Sequence, residues 1–63
     1  MTDYDKQCWL DNISEYASLN AEKYGNTAVV MVFSRYDATN IEDLDASFYP
    51  DIFFDLYAMY YDV

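Results

Sequence analysis

The groups in this 63-residue chain that could do chemistry are carboxylates and phenols: twelve Asp and Glu, eight Tyr, one Cys and no His. Paired carboxylates can serve as general acid and base, and Glu42 with Asp43 is such a pair. With twelve acids in so short a chain, adjacency of this kind arises by chance and marks no site. Cys8 has no imidazole to activate it, and Lys6 is its nearest cation along the chain; it reads as an unreactive helix residue. Gly25 is the only glycine, so a glycine-rich phosphate loop is excluded. Oxygen donors recur through residues 37–45, as in a calcium loop, but the central glycine and closing glutamate are missing. Cys8 with carboxylates makes a poor zinc set. The chain therefore reads as a non-enzyme with no metal and no cofactor.

Charge is the stronger signal. Twelve acidic residues against three basic ones leave nine net negative charges. Such an excess can signal disorder, but 54% of the residues are apolar and 21% aromatic, enough to form a core beneath an acidic surface. That surface repels nucleic acid and anionic membranes and attracts basic surfaces. The natural basic surface in a cell is the DNA-binding channel of another protein. Solubility alone is the competing explanation of the acidity, yet packing like charge on a small body costs stability, and the three basic residues are too few to neutralise it. The amino-terminal residues are acidic, with no apolar signal region, and the longest strongly apolar run, residues 28–33, is too short to span a bilayer. A cytoplasmic protein is expected, in the host-cell cytoplasm if phage-encoded.

The elements that must position these groups are mostly helices. From residue 5 to 24, Leu10, Ile13, Ala17, Ala21 and Tyr24 recur at spacings of three and four, flanked by Trp9 and Tyr16. Asp3 or Asp5 can cap the start, and Gly25 suits a left-handed helix end. The opposite face carries Asp11, Glu15, Ser18 and Glu22; four residues of helix rise about 6 Å, a spacing of the same order as that of phosphates along a DNA strand. Residues 26–36 are ambiguous. Val29, Val30 and Val32 favour a strand, whereas Val29, Val32, Phe33 and Tyr36 fit a helical stripe that Asn26 or Thr27 could cap. A lone strand at residues 28–33 has no partner within the chain and would have to pair across a dimer, so helix is preferred. After a polar break at residues 37–40, Thr39 or Asn40 caps a short helix over residues 41–46. The last segment begins near Ser47, tolerates Pro50 in its first turn and carries the stripe Ile52, Phe53, Leu56, Met59 and Tyr60, with Asp51, Asp55 and Asp62 on another side. The fold class expected is mainly α, a single small domain of three to four helices. The alternative is an α+β domain with one strand at 28–33. A domain this short is marginally stable alone, and with no disulfide available a homodimer is one route to stability.

The second half resembles a known group. Residues 41–49, IEDLDASFY, followed by an acidic aromatic helix, resemble repeats of the ArdA-type antirestriction proteins. Residues 48–53, FYPDIF, resemble a segment of the Ocr-type phage antirestriction proteins. The resemblance covers about half of this chain, which is much shorter than members of either family, and Pro50 stands where the repeats tend to carry a glycine-containing turn. It implies an acidic DNA mimic whose carboxylates, here Glu42, Asp43, Asp45 and Asp51, fill the DNA-binding groove of a restriction enzyme.

The expected function is thus inhibition by DNA mimicry. The expected partner is a basic DNA-binding host protein: a restriction enzyme, a CRISPR effector, a repair enzyme or a nucleoid protein. No direct contact with nucleic acid or membrane is expected. The residues expected to imitate phosphates are Asp11, Glu15, Glu22, Asp37, Glu42, Asp43, Asp45, Asp51 and Asp55. The alternative is a protein-interaction module docking through a tyrosine-rich face, in which Tyr57, Tyr60 and Tyr61 anchor a partner or a second copy and the acidity only keeps the chain in solution.

Overall fold

The computed structural model describes residues 2–63, folded as three α-helices and one 3₁₀ turn: α1 (Asp3–Tyr24), α2 (Asn26–Ser34), the 3₁₀ turn (Ala46–Phe48) and α3 (Tyr49–Tyr61). Among the described residues there is no strand, so the strand considered at 28–33 is not formed. Its valines lie in α2, with Val29, Val32 and Phe33 buried on one side and Val30 and Met31 exposed on the other. That period of three to four residues decides the ambiguity left by β-branched composition.

Helix α1 starts earlier than expected and is capped by Thr2, not by Asp3 or Asp5: the Thr2 hydroxyl accepts from the Asp5 N–H at 3.1 Å. The two aspartates fall instead in the first turn, where the positive end of the helix dipole favours them. Gly25 ends α1, its N–H donating to Ala21 O at 2.9 Å. Its φ of +94° is open to glycine and strained for other residues. No atom lies within 4 Å of where a Cβ would stand, so backbone conformation alone requires glycine here. The turn is so tight that α2 begins at the next residue. Gly25 occupies its cap position and no side chain caps it, contrary to the expectation for Asn26 or Thr27.

The helix expected over residues 41–46 is not formed. Asn40 does act as a cap, its Oδ1 accepting from the Glu42 and Asp43 N–H groups at 2.8 and 3.2 Å. The turn then stops, because Leu44 is drawn into the core at 5% exposure and Asp45 is extended, φ −68° and ψ 135°. Asp45 caps the 3₁₀ turn through Ser47, accepting from its N–H at 2.9 Å.

The core joins Ile13 of α1, Val29, Val32 and Phe33 of α2, Ala38 and Leu44 of the connection, and Tyr49, Ile52 and Leu56 of α3. Helices α1 and α3 run in the same general sense, since Trp9 meets Phe53, Asn20 meets Leu56 and Lys23 meets Tyr60. At the centre of that contact sits Asn20, fully buried. Its amide NH₂ donates to Tyr16 O (2.8 Å) and to Leu56 O of α3 (2.9 Å), while its Oδ1 has no partner among the described residues. With two carbonyls facing the NH₂, the amide cannot be flipped without repulsion. Asn20→Asp removes both donors and sets a carboxylate against two carbonyl oxygens. It should cost about 3 kcal/mol or more, enough to unfold a domain of this size, whereas Asn20→Leu should cost far less because it also removes the orphaned oxygen. Urea unfolding of the two variants checks the order.

Helix α2 closes through a left-handed residue. Ala38 N–H donates to Phe33 O (3.2 Å), Asp37 N–H to Ser34 O (3.3 Å), and Asp37 takes φ +58°. Glycine is the usual residue there, and a carboxylate also opposes the negative end of the helix dipole. Asp37→Gly should therefore stabilise the domain by about 1 kcal/mol, raising Tm by roughly 4–8 °C. Thermal unfolding measures it.

Candidate functional site

The carboxylates reach the surface in three groups set by the helices. On α1, Asp11, Glu15 and Glu22 are exposed on the side away from Ile13 and Asn20, spread along about 16 Å of helix. On the connection, Asp37, Glu42, Asp43 and Asp45 are exposed, and on α3 so is Asp51. Eight of the nine expected phosphate mimics are therefore open to solvent. Asp55 is the exception: it accepts a short hydrogen bond from the Tyr36 hydroxyl and lies 3.8 Å from Arg35. It fastens the end of α2 to α3 rather than facing outward.

Others among the eight have local work. Asp43 accepts from the Thr39 hydroxyl, and Asp11 from the Gln7 amide at 2.8 Å. The Ser47 N–H and hydroxyl both bond to Asp45, the backbone bond being the stronger influence, and hold its carboxyl below the usual range. Glu15, Glu22, Asp37, Glu42 and Asp51 have no side-chain hydrogen bond or ion pair among the described residues. Arg35 with Asp55 is the single ion pair there. Lys23 is spent elsewhere: it donates to Tyr60 O at 2.7 Å and lies 5.2 and 5.1 Å from the ring centres of Tyr24 and Tyr60.

Net charge per length follows. Nine net charges on a body 32 Å long amount to one per about 3.6 Å, against about 3.4 Å for a single DNA strand and about 1.7 Å for a duplex.

The tyrosines expected as anchors do come together. Tyr57 and Tyr61 meet at a tilt, 4.8 Å between centroids, and Tyr60 and Tyr61 meet edge to face at 5.0 Å. Sequence reasoning missed the centre of this group. Tyr16 of α1 touches Phe53, Tyr57, Tyr60 and Tyr61 at 5.5–6.1 Å, its hydroxyl 3.3 Å from that of Tyr61. It also missed Phe54, which is 63% exposed. The signal was present: Phe53, Phe54, Tyr57, Tyr60 and Tyr61 recur at one, three and four residues on α3, and Trp9 and Tyr16 stand two turns apart on α1.

Among the described residues no three Cys, Asp or Glu side chains converge as metal ligands would. No helix among the described residues is long and apolar enough to cross a membrane. No protein-family model, curated protein or solved structure matches the chain.

Two phenols hold their protons tightly. The Tyr36 pKa is pushed up to about 12, first by its bond to Asp55 and then by burial. That of Tyr16 is likewise raised to about 12, first by its bond to Tyr61. The protonated form is the one the fold favours, so this contribution to stability is complete below the ordinary value of about 10 and is lost as pH rises through 12. Alkaline titration followed by tyrosinate absorbance should show a late component near pH 12 that Tyr36→Phe diminishes, and the domain should lose stability across the same window.

Proposed function

We propose that this chain is an acidic DNA mimic that occupies the DNA-binding groove of a basic host protein, such as a restriction enzyme or another defence nuclease, in the cytoplasm. The observation that carries the reading is the un-neutralised surface: eleven of the twelve acids are exposed, and the one ion pair among the described residues takes the twelfth, Asp55. The linear charge density matches that of one DNA strand. Two of these charges stand where they cost stability. Asp37 and Asp62 both take left-handed conformations at helix carboxyl ends, against both backbone preference and the helix dipole. Acidity for solubility alone would not need charge at those positions. The reading rests on this surface and not on the short resemblance of residues 41–53.

The surface residues assigned to the partner are Asp11, Glu15, Glu22, Asp37, Glu42, Asp43, Asp45 and Asp51. Asp55 is assigned a supporting role, because its charge is committed to Arg35 and Tyr36. Steering by such a field gives fast association that falls steeply with salt.

The test is capture from a bacterial lysate by the tagged chain, with salt-step elution and duplex DNA as competitor. DNA-binding proteins should be retained in low salt, released by moderate salt and displaced by the duplex. Against a partner so identified, the triple variant Asp11→Asn, Glu15→Gln, Glu22→Gln should bind at least about tenfold more weakly and with a shallower salt dependence. Partners that persist in high salt, ignore the duplex and respond to tyrosine substitutions instead would reject the mimic.

A further inference from the structure

One face of the molecule is almost free of the charge that covers the rest. Trp9 and Tyr16 of α1, with Phe53, Phe54, Tyr57 and Tyr61 of α3, form a continuous chain of ring contacts between 4.8 and 6.1 Å. Phe54, Tyr57 and Tyr61 are 63%, 40% and 50% exposed. Aromatic side chains present about 200 Å² each, so these three alone leave about 300 Å² of ring surface in water. With the half-buried rings beside them, the patch is as large as the largest apolar patch on a typical monomeric protein, about 300–600 Å² and often an interaction site.

We infer that this aromatic face is the interface of a homodimer, each copy covering the other's rings. Three arguments choose a second copy over another partner. First, a two-fold interface must complement itself. A patch of one charge sign cannot do so, but this one can: ring edges are positive and ring faces negative, and each phenol both donates and accepts. Second, the face is about the right size. A stable interface takes about 800 Å² from each partner; the three most exposed rings supply over a third of it, and the half-buried rings and polar rim around them lie on the same face. Third, a 63-residue chain with one cysteine and no disulfide has little core to spare, and pairing is a common way for such a domain to gain burial. The centre of the patch holds no carboxylate, while Asp5 beside Trp9 and Glu15 beside Tyr16 stand at its edge. This is the layout of a protein interface, with aromatic residues central and charge confined to the rim.

The dimer has a distinctive salt response. Each copy carries nine negative charges, so the copies repel, and added salt screens that repulsion while leaving ring burial intact. Self-association must tighten with salt, whereas binding to a basic partner must loosen. The two surfaces can therefore succeed or fail independently.

Sedimentation equilibrium of the full chain, from micromolar to near-millimolar concentration in low and high salt, tests the inference. A monomer–dimer equilibrium is expected, with a dissociation constant at least several-fold lower in high salt. The pair Phe54→Ser, Tyr61→Ser should weaken it at least tenfold while circular dichroism keeps its helical signal. Should that pair lose its fold, Phe54→Glu alone, at a position exposed in the monomer, should abolish the dimer through like-charge contact. Met31→Ser, equally exposed but on α2, should leave it unchanged. A chain that stays monomeric throughout, a dimer that dissociates as salt rises, or one indifferent to Phe54→Glu would overturn the inference.

Discussion

Repulsion among nine uncompensated negative charges on a body 32 Å long is the constraint the rest of this structure answers to. At physiological salt the screening length is about 8 Å, shorter than the molecule but longer than the rise of about 6 Å from Asp11 to Glu15 on α1. Neighbouring carboxylates therefore feel one another, and the fold relieves little of it, with Arg35 and Asp55 as the one ion pair among the described residues. Stability must come from what lies inside and between the helices. The three fully buried aliphatic side chains, Ile13, Ile52 and Leu56, are worth about 2 kcal/mol each, and one is contributed by α1 and two by α3. The pairing of those two helices is thus where the electrostatic load is resisted.

That pairing is held by polar contacts as much as by apolar ones. Asn20 bonds across to Leu56 O at its middle, Tyr24 donates to Met59 O (3.1 Å), and Lys23 caps Tyr60 O at the far end. The last two satisfy carbonyls that the end of α3 leaves open. Using Lys23 this way withdraws a cation from the acidic surface. A fold selected for stability alone would gain by pairing Lys23 with an acid on α1 and by placing glycine at 37 and 62. It does neither, and both choices leave the surface more negative than stability favours.

How much of this was legible in sequence depends on the range of the interaction involved. The stripes of α1 and α3 were legible because 3.6-residue periodicity is local and strong, and the preference for helix in α2 followed from its stripe once a lone strand was seen to lack a partner. The missing helix at 41–46 was not legible. Asn40 starts a helix and starts an isolated turn with the same side-chain bond, and only the burial of Leu44, a tertiary event, separates them. Asn20 was hidden for a related reason: a polar residue seven positions after Ile13 interrupts an apolar pattern, and its role exists only when Leu56 O arrives from α3. Most acids were correctly read as surface residues because carboxylates without cations stay in water. Asp55 escaped that rule because its partners, Arg35 and Tyr36, are brought to it by the turn of α2 onto α3.

The acidic and aromatic surfaces also constrain each other. A body this small cannot be acidic on every side and still form a lasting contact with a copy of itself, because repulsion would act at contact distance. Segregation removes the conflict: Asp11, Glu15 and Glu22 lie on the outward side of α1, while Trp9 and Tyr16 lie on its flank toward α3. Two copies joined through the rings would then carry their carboxylates outward on both sides without raising the local charge density. A second acidic side would come from pairing and not from a longer chain. The ring face would in that case serve the charged one, since a single copy offers one strand's worth of charge over about nine base pairs and a pair would offer it on two opposite sides.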